Sequence, residues 1–391
     1  MNYILFDDKQ VRTGLLPLTF TRPECDLRYG ITTIREKWER SLGVKTSTLT
    51  SDYLTEKYPV VEDDENILIK ANIIPDDKLV EAIKSLKPND SLVKGDVVIA
   101  YNVTREFLSA TDEVDSDENQ IEYDGEVKCL RNIWQLFSEL DDAIRTDFGC
   151  ITKGRKSAPL SKTNNIIGDG EIFIEEGAVV EYATINTTSG PVYIGKDAVV
   201  MEGSMIRGPF ALCDHAQLKM GAKIYGATTI GPYCKVGGEV SNSMFLGYAN
   251  KAHDGFIGNS VIGEWCNLGA GTNCSNLKNT YDPVRLWNYR EESFVSTGLQ
   301  FCGVIMGDHS KTGINTMLNT GTVVGVSVNL FGAGFPRNIV SSFSWGGASG
   351  FKVYNLNKAF QVAERVFARR GKEFDDVEKG ILKHIYDEVV R

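Results

Sequence analysis

Histidine is scarce in this chain of 391 residues: there are four, and the eight cysteines include no C-x-x-C pair. Zinc ribbons and fingers draw their ligands from close pairs of such residues, so no metal centre of that kind is expected. The scattered thiols read as buried and free rather than as a disulfide framework. Long apolar runs are missing too. Nothing reaches the ~18 residues a membrane helix needs, and the N-terminus, Met-Asn-Tyr-Ile-Leu-Phe-Asp-Asp, has no basic stretch ahead of an apolar one. A cytoplasmic location without a membrane partner is expected. Positive charge is in deficit, with 42 Lys and Arg against 52 Asp and Glu for a net charge of −10, and no basic stripe is interleaved with aromatics. Nucleic acid is not an expected partner.

What is abundant is a period of six. Ile194, Val200, Ile206, Leu212, Leu218, Ile224, Ile230 and Val236 follow one another at six-residue steps, and Ile167, Phe173, Val179 and Ile185 repeat the step upstream. An amphipathic helix repeats at about 3.6 and a half-buried strand at about 2, so this spacing belongs to a repeating supersecondary unit. It predicts a parallel β-helix of triangular section. Each face takes about six residues and points one aliphatic side chain at the axis; coils of ~18 residues stack at the ~4.8 Å inter-strand spacing. Gly195, Gly231 and Gly263 directly follow an aliphatic residue, where the chain turns a corner.

The length exceeds one ordinary core, and composition shifts near residue 150. Before that point strand patterns at 3–6, 66–69 and 97–100 alternate with helical ones at 31–41 and 77–86, suggesting a βαβ-type layered domain over 1–150, closed by an amphipathic helix at 132–146. The polar, basic stretch 151–165 reads as a linker, 166–350 as the solenoid, and 351–391 as a helical extension able to cap the last coil's open edges.

In the first domain, Ile4-Leu-Phe-Asp-Asp-Lys-Gln-Val-Arg12 runs from a strand into a loop, where α/β domains usually bind ligands. The segment resembles the start of the sugar-1-phosphate nucleotidyltransferases, whose first strand leads into a Gly-rich loop ending G-x-G-T-R and then a Pro-Lys. Arg12 falls at the loop arginine, and Arg22 and Arg28 lie in the Pro-Lys region. Asp7 and Asp8 stand where the family keeps Ala and Gly, Gln10 replaces a glycine, and Asn72 stands where a metal-binding Asp ends a later strand. The resemblance implies a Rossmann-like nucleotidyltransferase-type domain, phosphates held by Arg12, Arg22 and Arg28, and Mg²⁺ if the domain is active.

Between Glu239 and Asn276 the hexad regularity gives way to unusual polar residues. His253, the Ile257-Gly258 pair, Asn267 opening Leu-Gly-Ala-Gly-Thr, and Asn276 nine positions later are similar to the K-A-G-H…Y-I-G-D…V-N-I-G-A-G-T-x-x-x-N signature of the bifunctional enzymes that make UDP-N-acetylglucosamine. The resemblance implies a left-handed β-helix, a homotrimer, and acetyl-CoA bound between neighbouring solenoids. By it His253 is the catalytic base, taking the proton of an amino sugar as the C–N bond forms; a neutral imidazole, with pKa near ~6.5, suits that task. Asn276 positions the amine or a hydroxyl. Asn267, Glu239 and Phe256 belong to the substrate-binding set, Phe256 replacing the family tyrosine. The family's phosphate-binding arginine after G-P-F-A and its lysine a dozen residues before the histidine are absent here, which leaves Lys219, Lys223, Lys235 and Arg207 for the sugar phosphate.

His309 is the competing histidine. Its run, Met306-Gly-Asp-His-Ser-Lys-Thr-Gly-Ile-Asn315, resembles G-D-x-x-K-T-G-I-N segments of archaeal relatives that line the coenzyme, which implies a cofactor-binding role for Lys311, Thr312, Gly313 and Asn315; a structural role in forming a corner of the coil is the equal alternative. Residues 277–292 have no hexad phase and read as an excursion loop. Three readings stand: an enzyme that acetylates an amino sugar phosphate and joins a sugar 1-phosphate to a nucleotide; an acyltransferase with a silent first domain; and a non-catalytic trimeric scaffold.

Overall fold

The computed structural model describes residues 2–105 and 119–390. These form two compact units, one of Met1–Leu15, Thr21–Arg28 and Thr32–Ile133, the other of Leu16–Phe20, Tyr29–Ile31 and Trp134–Arg391.

The first unit is a six-stranded sheet in the order Ser47–Leu49, Asn2–Phe6, Glu65–Lys70, Val97–Thr104, Ser91–Lys94, Gln120–Glu122. Asn2–Phe6 runs parallel to both neighbours, as a βαβ arrangement requires, while Val97–Thr104 is antiparallel to Glu65–Lys70. The helix expected at 31–41 spans Ile34–Leu42. Thr33 and Glu36 form a capping box at its start, and Gly43 closes it with φ 76°, a left-handed value that glycine adopts without strain.

The second unit is a parallel β-solenoid with three faces. The first holds nine strands, from Ile172–Ile174 to Ile339–Val340; the second holds ten, from Val179–Val180 to Ser344–Gly347 and Gly350–Val353; the third holds six, from Asn165–Ile167 to Phe256–Gly258. The eight aliphatic residues from Ile194 to Val236 all lie in its core, each no more than 2% exposed. The upstream hexad is out of phase. Ile167 and Val179 are exposed, and Ile174 and Val180 are the residues that face the axis. The cause is a corner one residue short: Val180 and Ile185 pair with Val200 and Ile206, so five steps there match six in the next coil. Phe173 instead stacks outside, its ring 6.2 Å from Tyr193 and under the Arg155 guanidinium.

The helix expected at 132–146 is broken into Gln135–Ser138 and Leu140–Thr152, and both belong to the solenoid unit rather than closing the first. Buried Asp147 of the longer helix accepts from Ile31 N at 2.7 Å. The last coil's second-face edge is covered not by helices but by the antiparallel strand Gly350–Val353. The C-terminal helices, Leu356–Ala368 and Asp376–Val389, lie along the flank instead, held by aromatic rings.

Those rings stand at the edge joining the first and second faces, where each coil needs one residue at positive φ. Gly177 supplies it first; Asp197, His215, Tyr233, Tyr248, Trp265, His309, Ser327 and Phe343 follow, all near 50–60°. Side chains on successive coils stack, with centroids 4.6 Å apart for His215 and Tyr233, 4.8 Å for Tyr233 and Tyr248, and 4.1 Å for Tyr248 and Trp265. Phe367 lies 3.9 Å from Trp265 and 6.0 Å from His309, and Tyr386 meets Phe343 edge-on at 5.1 Å. His309 is thus a buried member of this column.

Replacing Phe367 with Ala is expected to weaken helix docking by about 3 kcal/mol. Hydrogen exchange should then show lost protection across Leu356–Ala368 and Asp376–Val389 while the coils from Val192–Ile194 to Val261–Ile262 stay protected. Unchanged protection in the helices would refute the assignment.

Candidate functional site

His253 sits at the edge joining the second and third faces, between Asn250–Lys251 and Phe256–Gly258, and its side chain is exposed. The turn is irregular. Gly255 has φ 126°, and a Cβ there would meet Thr272 O at 2.1 Å, so no other residue fits. Beneath the turn an ammonium group takes an aliphatic position. Lys251, 1% exposed, is in register with Val236 and donates from Nζ to Gly237 O at 3.0 Å and His253 O at 2.7 Å. Burial pushes its pKa down to about 8, with Asp254 opposing and Lys223 reinforcing.

Asn276 closes a polar ladder at the edge between the third and first faces. Its Nδ2 donates to Asn259 Oδ1 at 2.8 Å, and Asn259 Nδ2 donates at 2.8 Å to Asn242, whose own amide nitrogen reaches Ala227 O and Phe137 O. His253 and Asn276 therefore flank the three-residue strand Phe256–Gly258, ~10 Å of chain, instead of meeting. Glu239 and Phe256 are neighbours on the third face, and Phe256 N donates to Asn273 Oδ1.

Asn267 lies on the second face, away from Asn276. It accepts from Asn250 Nδ2 at 2.8 Å and lines a cavity of about 330 Å³ with Lys235, Asn250, Trp265, Lys311, Arg369 and Arg370. Of the phosphate candidates, Lys235 is in this cavity, while Lys223 and Arg207 border a shallow depression on the third face. The proposed cofactor residues do not share a surface. Lys311 opens on the second-face cavity; Thr312 is buried, 2.7 Å from Thr272 Oγ1; Gly313 and Asn315 turn the next corner, with Gly313 N bonded to Leu330 O and Asn315 N to Ala270 O.

The excursion leaves after Asn276 and re-enters at Cys302, whose N–H donates to Asn276 O. It carries the hairpin Arg285–Asn288/Ser293–Ser296 and roofs a cleft of about 1240 Å³ that includes Trp287, Phe294, Phe335, Lys278, Arg285 and Arg337. Flat rings beside unopposed cations suit a nucleotide-bearing ligand. The missing hexad phase marked the loop, but nothing in the sequence showed that residues 335–339 complete its cleft.

In the first unit, Arg12 is buried. Its guanidinium donates to Asp7 Oδ2 and Arg22 O, each at 3.0 Å, and to Tyr53 OH at 2.7 Å. Arg22 is buried as well, and Arg28 is half-buried. Asp8 caps the helix Lys9–Gly14 and pairs with Lys70 at 2.7 Å; Asp7 also accepts from Thr50 and Glu24 N. Burial, reinforced by Asp7 and Asp8, pushes the Glu24 carboxyl well above its ordinary range. These residues do not fit Mg²⁺. Both aspartates are taken up by cations and N–H groups, and Asn72 offers a neutral amide that itself donates to Leu130 O. Among the described residues no cluster of three or more His, Cys, Asp or Glu could hold a metal, and no helix is long and apolar enough to cross a membrane.

Residues 3–156 match the family model described as sugar nucleotidyl transferase. Among curated relatives, the bifunctional protein GlmU of Methanocaldococcus jannaschii is 29% identical over 68% of this chain and 60% of its own length. The bifunctional sugar-1-phosphate nucleotidylyltransferase/acetyltransferase of Sulfurisphaera tokodaii is 29% identical over 36% of this chain and 35% of its own. The chain thus spans less than two thirds of either. Among solved structures, the polysialic acid O-acetyltransferase OatWY aligns with 49% of this chain and 87% of its own at 14% identity and TM-score 0.28, a likeness too slight to argue from.

Burial holds Lys251 and Lys311 each at a pKa of about 8, below the ordinary 10.5. Between pH 8 and 10 the unfolded chain therefore binds more protons than the folded one, and these groups make stability rise with pH. Denaturant titrations should show that rise in the wild type and a flatter curve in Lys251→Met or Lys311→Met. Parallel curves would mean that both ammonium groups are solvated.

Proposed function

We propose that the chain is a divergent member of the bifunctional sugar-1-phosphate nucleotidylyltransferase/acetyltransferase family and a transferase of sugar-nucleotide synthesis, a reading supported by the family-model match over residues 3–156 and by the 29% identity to two bifunctional relatives. The solenoid moves an acetyl group from acetyl-CoA to the amine of an amino sugar phosphate, and the first unit serves nucleotidyl transfer to a sugar 1-phosphate. The observation that carries the acetyl half is the exposed imidazole of His253 on an edge where coils two turns to either side leave apolar side chains bare. Two residues after the inward residue of a second-face strand, where His253 stands, other coils carry Met220 at 71% and Ile314 at 74% exposure. Such an edge suits packing against a second copy in a homotrimer.

On this reading His253 accepts the amine proton as the C–N bond forms, and passes it to the coenzyme A thiolate that departs when the thioester C–S bond breaks. The Lys251 ammonium, bonded to the His253 carbonyl, fixes the turn that presents the ring. Asn276, with Nδ2 committed to Asn259, offers Oδ1 to the amine; Asn267, with Oδ1 committed to Asn250, offers Nδ2 to a sugar hydroxyl. Acetyl-CoA supplies the acyl thioester, and the cleft under the excursion hairpin has the rings and cations to hold its nucleotide end. Since Asn267 lies on the second face and Asn276 at the edge between the third and first faces of one chain, a complete site needs two copies.

His253→Ala should lower acetyl transfer by about 10²–10⁴-fold with an unchanged melting point. Co-refolding it with Asn267→Ala should restore part of the activity through mixed sites. Full activity in His253→Ala would defeat the assignment, and failure of the mixture to recover would defeat the shared site.

A second reading, an acyltransferase whose first unit is catalytically silent, is favoured by the closed network around Arg12 and the poor fit to Mg²⁺. Pyrophosphate release from UTP or dTTP with a panel of sugar 1-phosphates and Mg²⁺ decides between them. On the second reading none is released above the rate without protein.

A further inference from the structure

The cavity on the second face gathers positive charge without an acid to meet it. Lys235 and Lys311 reach it from the strands Lys235–Val236 and Lys311–Thr312, Arg369 and Arg370 from the end of the helix Leu356–Ala368, and no carboxylate lines it. Neither arginine takes part in an ion pair among the described residues. Lys311 Nζ has only the His309 carbonyl, at 2.8 Å. Lys235 is held below its ordinary pKa by burial and then by Arg370, Lys219 and Arg369, all of the same sign.

A helix C-terminus attracts cations, and that is the competing explanation for the arginines. It supplies only about half a negative charge, whereas four cations converge here. Like charges gathered in one partly desolvated cavity repel one another, so the arrangement is costly while the cavity holds only water. A dianion removes that cost. The floor suits one as well, because the Asn250 and Asn267 amides bond to each other and leave the Asn267 nitrogen free to donate. About 330 Å³ admits a phosphate ester of sugar size and excludes most larger ligands.

We propose that this cavity is a phosphate-binding site, completed by Arg369 and Arg370 of the C-terminal helix, for the phosphate monoester of a small substrate. The proposal rests on the transferase reading only for which phosphate it holds. Trp265 and Phe367 hold the helix at that position, so aromatic stacking on one edge places the arginines over the neighbouring face.

The test is calorimetry on the full chain at low salt with three probes: inorganic phosphate, glucosamine 1-phosphate and coenzyme A. Arg370→Gln and Lys235→Gln should each weaken binding of at least one probe by 10-fold or more, with Arg370→Lys between them and the wild type. Their ligand-free melting points should not fall, because losing one cation relieves repulsion. Selective loss of glucosamine 1-phosphate assigns the site to the sugar, and selective loss of coenzyme A assigns it to the coenzyme. No measurable binding of any probe to the wild type, unchanged affinities in the variants, or lower ligand-free melting points in both would overturn the proposal. Phosphate binding that depends on Arg370 in a chain unable to transfer acetyl groups would instead sink the transferase reading and leave the site standing.

Discussion

One side chain per face must point at the axis of a triangular coil, and that constraint organises everything else in the solenoid. Parallel pairing of Ile194 with Leu212, or Val200 with Leu218, stacks equivalent positions. With inward positions committed to aliphatic packing, outward and corner positions become columns at the coil spacing of ~4.8 Å. A column can hold a functional pattern as readily as a core pattern, hence the asparagine ladder at one edge and the ring stack at another. Lys251 breaks the inward rule, and the break sits under His253. Its ammonium is satisfied by two carbonyls that an ordinary corner would turn elsewhere, so a local cost in the core holds a local irregularity at the surface.

The ring stack has a second consequence. Positive φ at a corner favours glycine, yet here tyrosine, tryptophan and histidine adopt it on consecutive coils. Strain at any one corner is small beside the apolar area that stacked rings bury, and the stack gains further when Phe367 covers Trp265. The C-terminal helices dock along this flank because their apolar residues find the exposed rings there, whereas the end of the solenoid is already paired by Gly350–Val353.

Periodicity made the core legible from Ile194 to Val236, because aliphatic residues at a fixed step leave no other fold. It misled upstream, where a corner one residue short shifts the phase and Ile185 rejoins it by coincidence. His253 was visible only within a longer pattern; alone, it is one exposed imidazole. The aromatic column was not visible, since its members lie 15 to 44 residues apart with no fixed step once the excursion intervenes. Nothing in the sequence singles out Arg369 and Arg370, because it is the packing of Phe367 that turns them toward Asn267 and Lys311.

Asp7 and Asp8 show how a departure from a family pattern can be a structure of its own. A Gly-rich loop leaves backbone N–H groups open to phosphate oxygens. Here Asp8 occupies the N–H groups of Gln10 and Val11, and a short helix starts at once. Asp7 and Glu24 clasp each other's backbone environment, with Asp8 N donating to Glu24 Oε1 and Glu24 N to Asp7 Oδ1. Arg12 is drawn into the same network. A phosphate entering this loop would have to displace internal carboxylates from their donors and then meet their charge. The donors a triphosphate needs are present in number but already spent, and this sets the two readings of the first unit apart on chemical grounds.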